Sequence, residues 1–165
     1  DMTFSNVLGS FRVGDGVELE RKRDEMLQMC ECELEELRPD VLFVEVDRRR
    51  LLRESLHLLG RQPTLLLLAK SLLVKFVDEP GIDAGGVRRD WFDSLGRKLV
   101  EEAAKPDGLF CCPPDGTICP RPGKCGARDL EDFFAVGRLI GLAIRFKLSL
   151  PLPLSSAACR FMLGQ

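Results

Sequence analysis

KFVDEPGIDAGGVRRDWFDSL, residues 75–95, decides how this 165-residue chain is read. Its front, taken as LLVKFVD (72–78), is short, β-branched and aromatic, the composition of a strand. Pro80 and Gly81 then turn the chain, and Asp83 can cap a helix. Beyond that cap Val87, Trp91, Leu95 and Leu99 recur at intervals of four, which sets them on one helical stripe. Arg88, Arg89, Asp90, Asp93, Arg97 and Lys98 take the complementary positions. The pattern predicts a surface helix anchored by Trp91 and Phe92, because aromatic rings bring the most apolar area to a packing face.

Upstream, apolar positions at Leu27, Cys30, Leu34 and Leu37 give residues 18–38 a three-four spacing and predict a leading helix that Pro39 ends. VLFVEV (41–46) reads as a first strand, and Asp47 as an N-cap. Leu52, Leu56 and Leu59 then mark a helix over residues 48–59, with Gly60 placed to close it. Residues 65–72 fit either a buried helix or the approach to the second strand.

Downstream, residues 106–128 (PDGLFCCPPDGTICPRPGKCGAR) gather Pro, Gly and Asp, and Pro114-Asp115-Gly116 between short apolar pieces predicts a β-hairpin. Asp129 reads as the cap of LEDFFAVGRLIGLAIRFKL, a stretch apolar on nearly all sides and therefore expected at the centre of the core, stopped by Pro151 and Pro153. Ser155 or Ser156 can cap a last short helix that Gly164 would close. The fold class expected is α+β, mainly helical, with short strands and a hairpin.

Composition narrows the function classes. With 45% hydrophobic and 30% charged residues the chain can bury a core, and its net charge of −2 supplies no basic field for a nucleic-acid backbone. The most apolar run, Leu65 to Val74, contains Lys70 and falls short of the roughly 20 residues that cross a bilayer. Seven cysteines is an odd count; with no secretory leader and no Asn-x-Ser/Thr site, it favours a reducing, cytoplasmic setting with the nucleus left open, and free thiols. Asp1 is not an initiator methionine, and FMLGQ stops as a helix-like segment ends, so both ends are expected to be cut points in a longer protein.

Four blocks occur in order: residues 75–95, with Gly85, Gly86, Arg89, Asp90 and Trp91; GLF at 108–110; FFAVGRLIGLAIRFKLSLPLPL at 133–154, with Gly137, Arg138 and Gly141; and FMLG at 161–164. VEVDRRRLLRESLHLL (44–59) fits ahead of them. Together they resemble the front part of the HECT-type ubiquitin-protein ligase domain. The resemblance implies a mainly helical N-lobe with short strands, a subdomain that docks the ubiquitin-conjugating enzyme, and a mobile C-lobe with the nucleophilic cysteine. It covers residues 41–165 as a partial N-lobe, with residues 1–40 as an extension and leading helix. The docking subdomain and the C-lobe have no match here, so no catalytic residue is carried over. The partners implied are a ubiquitin-conjugating enzyme, ubiquitin and a protein substrate; no cofactor, nucleic acid or membrane is implied. Pro80 inside the acidic turn and the Cys- and Pro-rich hairpin depart from the pattern.

Each motif has a plain structural reading beside a functional one. Gly85 and Gly86 at a helix start suit either a close approach of backbone to a neighbour or dihedrals forbidden to other residues, while an anion there would meet Asp83 and Glu79. Arg89 and Asp90 are expected in a buried polar network between helices. Gly137 and Gly141, one turn apart, would allow another helix to approach closely, and Arg138 and Arg145 argue against a membrane. Cys111, Cys112, Cys119 and Cys125 lie in one hairpin, yet no C-x-x-C occurs and His57 is elsewhere, so surface thiols are favoured over zinc. Cys30 and Cys32 are expected on different sides of a helix. Cys159 lies in an apolar helix-like run and is not read as a nucleophile. Arg48, Arg49, Arg50 and Arg53 are flanked by Glu45, Asp47 and Glu54 and read as a solvated face. The alternative function is a non-catalytic adaptor module with the same lobe fold.

Overall fold

A computed structural model describes residues 36–80 and 85–162, together with Glu20, Arg21, residues 23–25 and Gln28 of the leading segment. The first strand, β1 (Val41–Val46), buries alternate residues Leu42, Val44 and Val46, the period-two pattern of a strand with one face on a core. The second, β2 (Ser71–Phe76), buries Leu72, Val74 and Phe76 in the same rhythm. The two pair in parallel from Val41 opposite Ser71 to Val46 opposite Phe76. On the open face Lys75 reaches Glu45 at 2.6 Å.

Parallel strands need a crossover. Here it is a 3-10 turn (Arg48–Arg50), helix α1 (Leu51–Arg61) and the single turn α2 (Thr64–Leu67). Asp47 starts the crossover as expected, accepting the Arg49 amide at 2.8 Å. Gly60 does not close the helix: it lies inside α1, which ends at Arg61 with Gln62 as its extended cap just before Pro63. Residues 65–72 divide between the alternatives, the short α2 first and then the strand from Ser71.

Helix α3 (Gly86–Ala103) follows the acidic turn and buries Trp91, Phe92, Leu95, Gly96, Leu99 and Ala103 against β2 and α1. Asp83, its expected cap, lies outside the described residues. Next come β3 (Phe110–Cys111) and β4 (Cys119–Pro120), an antiparallel hairpin with Phe110 opposite Pro120 and Cys111 opposite Cys119. Its turn is tied by the Gly116 amide to the Pro113 carbonyl at 3.1 Å and by Asp115 accepting from the Thr117 amide at 3.0 Å.

Helix α4 (Ala127–Arg145) packs on α1. Its N-cap is Gly126, and Asp129 sits three residues inside, where its carboxylate accepts the Gly126 amide at 3.2 Å. The helix does not run on to the prolines. Lys147 turns left-handed at φ +53°, and the bonds Lys147 N–H to Ile144 O and Leu148 N–H to Ala143 O form the paired closure that ends many helices. Nor is α4 buried all round. Ala135, Val136, Leu139, Leu142 and Ala143 face the core, while Leu130 and Phe134 on the opposite side are each 56% exposed.

The last helix, α5 (Ser156–Met162), is capped by Ser155, whose hydroxyl accepts the Ala158 amide at 3.2 Å. Gly164 lies outside the described residues, as do Leu27, Cys30, Cys32 and Leu34 of the leading helix. At the end of that predicted helix, Glu36 and Leu37 form a turn, Arg38 is non-helical, and Leu37 is 66% exposed rather than on a buried stripe. Among the described residues no helix is long and apolar enough to cross a membrane.

Candidate functional site

The residues singled out by the sequence fall on α3, its N-cap and α4, and three of them, Asp90, Trp91 and Arg138, hold elements together. Trp91 is fully buried, and its indole N–H donates to the Ser55 hydroxyl on α1 at 3.0 Å while its ring meets Phe92 edge-on at 4.9 Å. A buried indole needs such a partner, since an unmet donor costs about 1–3 kcal/mol. Ser55 was missed in the sequence reading. The available signal was a polar residue on the Leu51–Leu59 face of α1 at the four-residue repeat.

Gly85 precedes α3 at φ +92°, a left-handed conformation that costs little only without a Cβ. Asp90 joins a network, but not with Arg89, which is exposed. The Arg48 guanidinium reaches both Asp90 and Glu79, bonding the latter's second oxygen at 3.0 Å, and lies 3.7 Å over the Phe76 ring. Ser94 donates to the other Asp90 oxygen at 3.0 Å. Arg48 holds the Asp90 carboxyl below the usual carboxylate range, and the bonds to Glu79 and Asp90 raise the Arg48 guanidinium in turn. The network lies at the surface rather than buried, and it joins the crossover, the acidic turn and α3. Arg50 is also paired, with Glu54 at 3.0 Å, so two of the clustered arginines carry ion pairs rather than a free positive face.

Arg138 of α4 bridges in a different way. It donates to the carbonyls of Leu59 at 2.7 Å, Gly60 at 3.2 Å and Gln62 at 2.8 Å, and to the Thr64 hydroxyl at 3.3 Å. These are carbonyls that the end of α1 leaves without helical partners, and the cation also meets the negative end of the helix dipole. Arg145 does likewise at the Ala69 carbonyl, 2.8 Å away, and Arg38 at that of Leu68, 2.9 Å. Arg121 gathers Gly108 O at 2.8 Å, Lys105 O at 2.6 Å and Phe110 O at 2.8 Å below the end of α3. Gly108 of the GLF block is needed there: a β-carbon would lie 2.0 Å from the Glu102 carbonyl. Nothing local in the sequence marks Arg121 or Arg145, whose partners come together only in the fold.

Gly137 and Gly141 lie on the exposed side of α4, and a β-carbon on either would meet nothing within 4 Å. No helix among the described residues uses the close approach they permit. Between α1 and α4 runs an open cleft of about 1010 Å3, lined by Arg53, His57, Arg61, Arg128, Glu131 and Asp132 among others. Burial raises the Asp132 carboxyl there. Both charge signs are mixed along this cleft, and none of its side chains is placed as a nucleophile beside a base.

In the hairpin, the Cys111 and Cys119 sulfurs are 3.4 Å apart, and the bond to Cys111 raises the Cys119 thiol. Cys112 and Cys125 are exposed. Cys159 is half-buried on α5 with its thiol turned toward the Leu154 carbonyl. Among the described residues no three His, Cys, Asp or Glu side chains converge as a metal would require.

No family model matches the chain. It is similar to "Probable E3 ubiquitin-protein ligase HUL4" of Eremothecium gossypii, 40% identical over 78 residues, 47% of this chain and 9% of the relative. It is 35% identical over 118 residues to human "Probable E3 ubiquitin-protein ligase HECTD2", covering 68% of this chain and 14% of the relative. It is 30% identical over 117 residues to "Probable E3 ubiquitin-protein ligase mug30" of Schizosaccharomyces pombe, 70% of this chain and 14% of the relative. The chain therefore spans a small part of the length of each of these ligases.

Proposed function

We propose, from the premise that this chain resembles the front of the HECT-type ubiquitin-protein ligase domain, that it is the scaffold half of that domain's N-lobe in a ubiquitin ligase. Residues 41–165 form the partial lobe and residues 1–40 its extension and leading helix. In the whole protein, ubiquitin passes from the thioester of a conjugating enzyme to a ligase cysteine and then to a substrate lysine, two nucleophilic transfers on carbonyl carbon. The work of this part is to hold the lobe on which those groups meet, in the cytoplasm or the nucleus.

One observation carries the reading. Three of the motif residues hold elements of the lobe together: Trp91 through Ser55, Asp90 through Arg48, and Arg138 through the end of α1. Two of the described cysteines are set away from this role: the bond to Cys111 raises the Cys119 thiol, whereas a transfer nucleophile needs a stabilised thiolate, and Cys159 is half-buried with its sulfur toward the Leu154 carbonyl.

Two arms test it. Incubated with a ubiquitin-loaded conjugating enzyme, the chain by itself is expected to form no thiol-sensitive ubiquitin adduct, and such an adduct would overturn the claim that it is inactive alone. Grafted in place of the matching stretch of human HECTD2, it is expected to support ubiquitin transfer. A folded but inactive graft would argue instead for an adaptor module.

A further inference from the structure

We propose that Cys111 and Cys119 form a reversible cross-strand disulfide that staples the β3–β4 hairpin, a modification site independent of the ligase reading. The two residues are direct partners in the antiparallel register, and their sulfurs already lie 3.4 Å apart. Directly opposed residues on antiparallel strands have Cα atoms about 4.5–5.5 Å apart, within the span a disulfide bridges without moving the backbone. Cys112 lies just past the end of β3 and is exposed, with no register partner on β4. Cys125 lies past the hairpin, exposed, with its sulfur toward the Gly123 carbonyl. Of these four cysteines, then, geometry selects one pair.

The step balances with a small disulfide such as oxidised glutathione as oxidant. The Cys111 thiolate attacks one sulfur of the small disulfide and expels one thiolate. Cys119 then gives its proton to solvent and attacks the Cys111 sulfur of the mixed disulfide, expelling the second. Two protein thiols are oxidised, one small disulfide is reduced to two thiols, and reduced glutathione runs the sequence backwards.

The staple acts on an anchoring point of the fold. Ile118, next to Cys119, is fully buried; its N–H donates to the Pro153 carbonyl at 2.7 Å, and its carbonyl accepts the Ser155 amide at 2.9 Å. The path that leads from α4 into α5 therefore hangs on Ile118, immediately before β4. Closing the disulfide restrains β4 and makes the hold on residues 153–155 depend on redox state.

The test is to equilibrate the full chain in glutathione buffers of rising oxidised share, block remaining thiols by alkylation, and map the links by mass spectrometry. The 111–119 link is expected to form first, to survive Cys112→Ser, and to vanish in Cys119→Ser. Oxidation is expected to raise the melting temperature and slow amide exchange at Ile118 and Ser155. In a denaturing concentration of guanidinium chloride the preference for this pair is expected to disappear. Predominant links through Cys112 or Cys125, the same mixture of links in native and denaturing buffer, or no link at any glutathione ratio would each overturn the proposal.

Discussion

Helices α3 and α4 are of similar length and both carry glycines, arginines and acids, yet the fold treats their glycines differently. On α3 the glycine face is covered: the Pro151 ring sits on Gly96, where a β-carbon would lie 2.7 Å from its Cγ and Cδ. On α4 the side bearing Gly137 and Gly141 is open, and Phe134 beside them is 56% exposed with Arg138 4.2 Å over its ring. The difference teaches that a glycine pair in an apolar helix states a capacity for close approach, while its use depends on what the rest of the chain brings there.

The aromatic residues break the comparison most sharply. Trp91→Ala removes a fully buried ring and leaves Ser55 without its partner, so a loss of about 3–5 kcal/mol in urea unfolding is expected. Phe134→Ala, on the open side of α4, is expected to change stability by no more than about 0.5 kcal/mol. Equal losses would mean that the outer face of α4 is packed in solution.

The glycines should respond with opposite signs. Gly96→Ala forces a methyl group into the Pro151 ring and is expected to cost about 1–3 kcal/mol. Gly141→Ala meets no neighbour and gains helix propensity, so a stabilisation of about 0.5–1 kcal/mol is expected from the same unfolding curves. A destabilising Gly141→Ala would sharpen the comparison differently, by showing that the open face is occupied.

The smallest effect is electrostatic and again differs between the helices. Asp90 on α3 has its folded pKa lowered from 3.8 by Arg48, so its contribution is present above that value and is lost as pH falls through the lower folded one. Asp132 on α4 has its pKa raised from 3.8 by burial, so its contribution is whole below that value and is lost as pH rises through the folded one. Asp90→Asn is therefore expected to lower the melting temperature at neutral pH and flatten the acid limb. Asp132→Asn is expected to raise the melting temperature slightly at neutral pH. Thermal melts across the acid range check both, and parallel shifts would show that burial and pairing do not govern these carboxyls. Because the Arg48–Asp90 pair is more than a third exposed, solvent screens it and the shift is modest.

Much of the fold was legible locally. VLFVEV gave its strand to the residue, the Val87–Leu99 stripe its helix, and Pro114-Asp115-Gly116 its hairpin, because each depends on a short period or on turn residues whose dihedral preferences act within a few positions. Errors gathered at helix ends. Gly60 looked like a stop and lies within α1, since Pro63 and the Arg138 clamp set the end instead. Lys147, not Pro151, ends α4 by turning left-handed, a conformation that a lysine side chain does not announce.

By itself, then, the sequence determined the elements, the buried stripe of α3 and the family resemblance, because periodicity and ordered motifs are properties of neighbours along the chain. Only the tertiary structure decided the parallel pairing of β1 with β2, the Ser55 partner of Trp91, the 3.4 Å approach of Cys111 to Cys119 and the carbonyls that Arg121 and Arg138 hold. Those contacts join residues whose separation along the chain carries no period. What selects them is the requirement that buried polar groups and helix ends find partners once the core has closed.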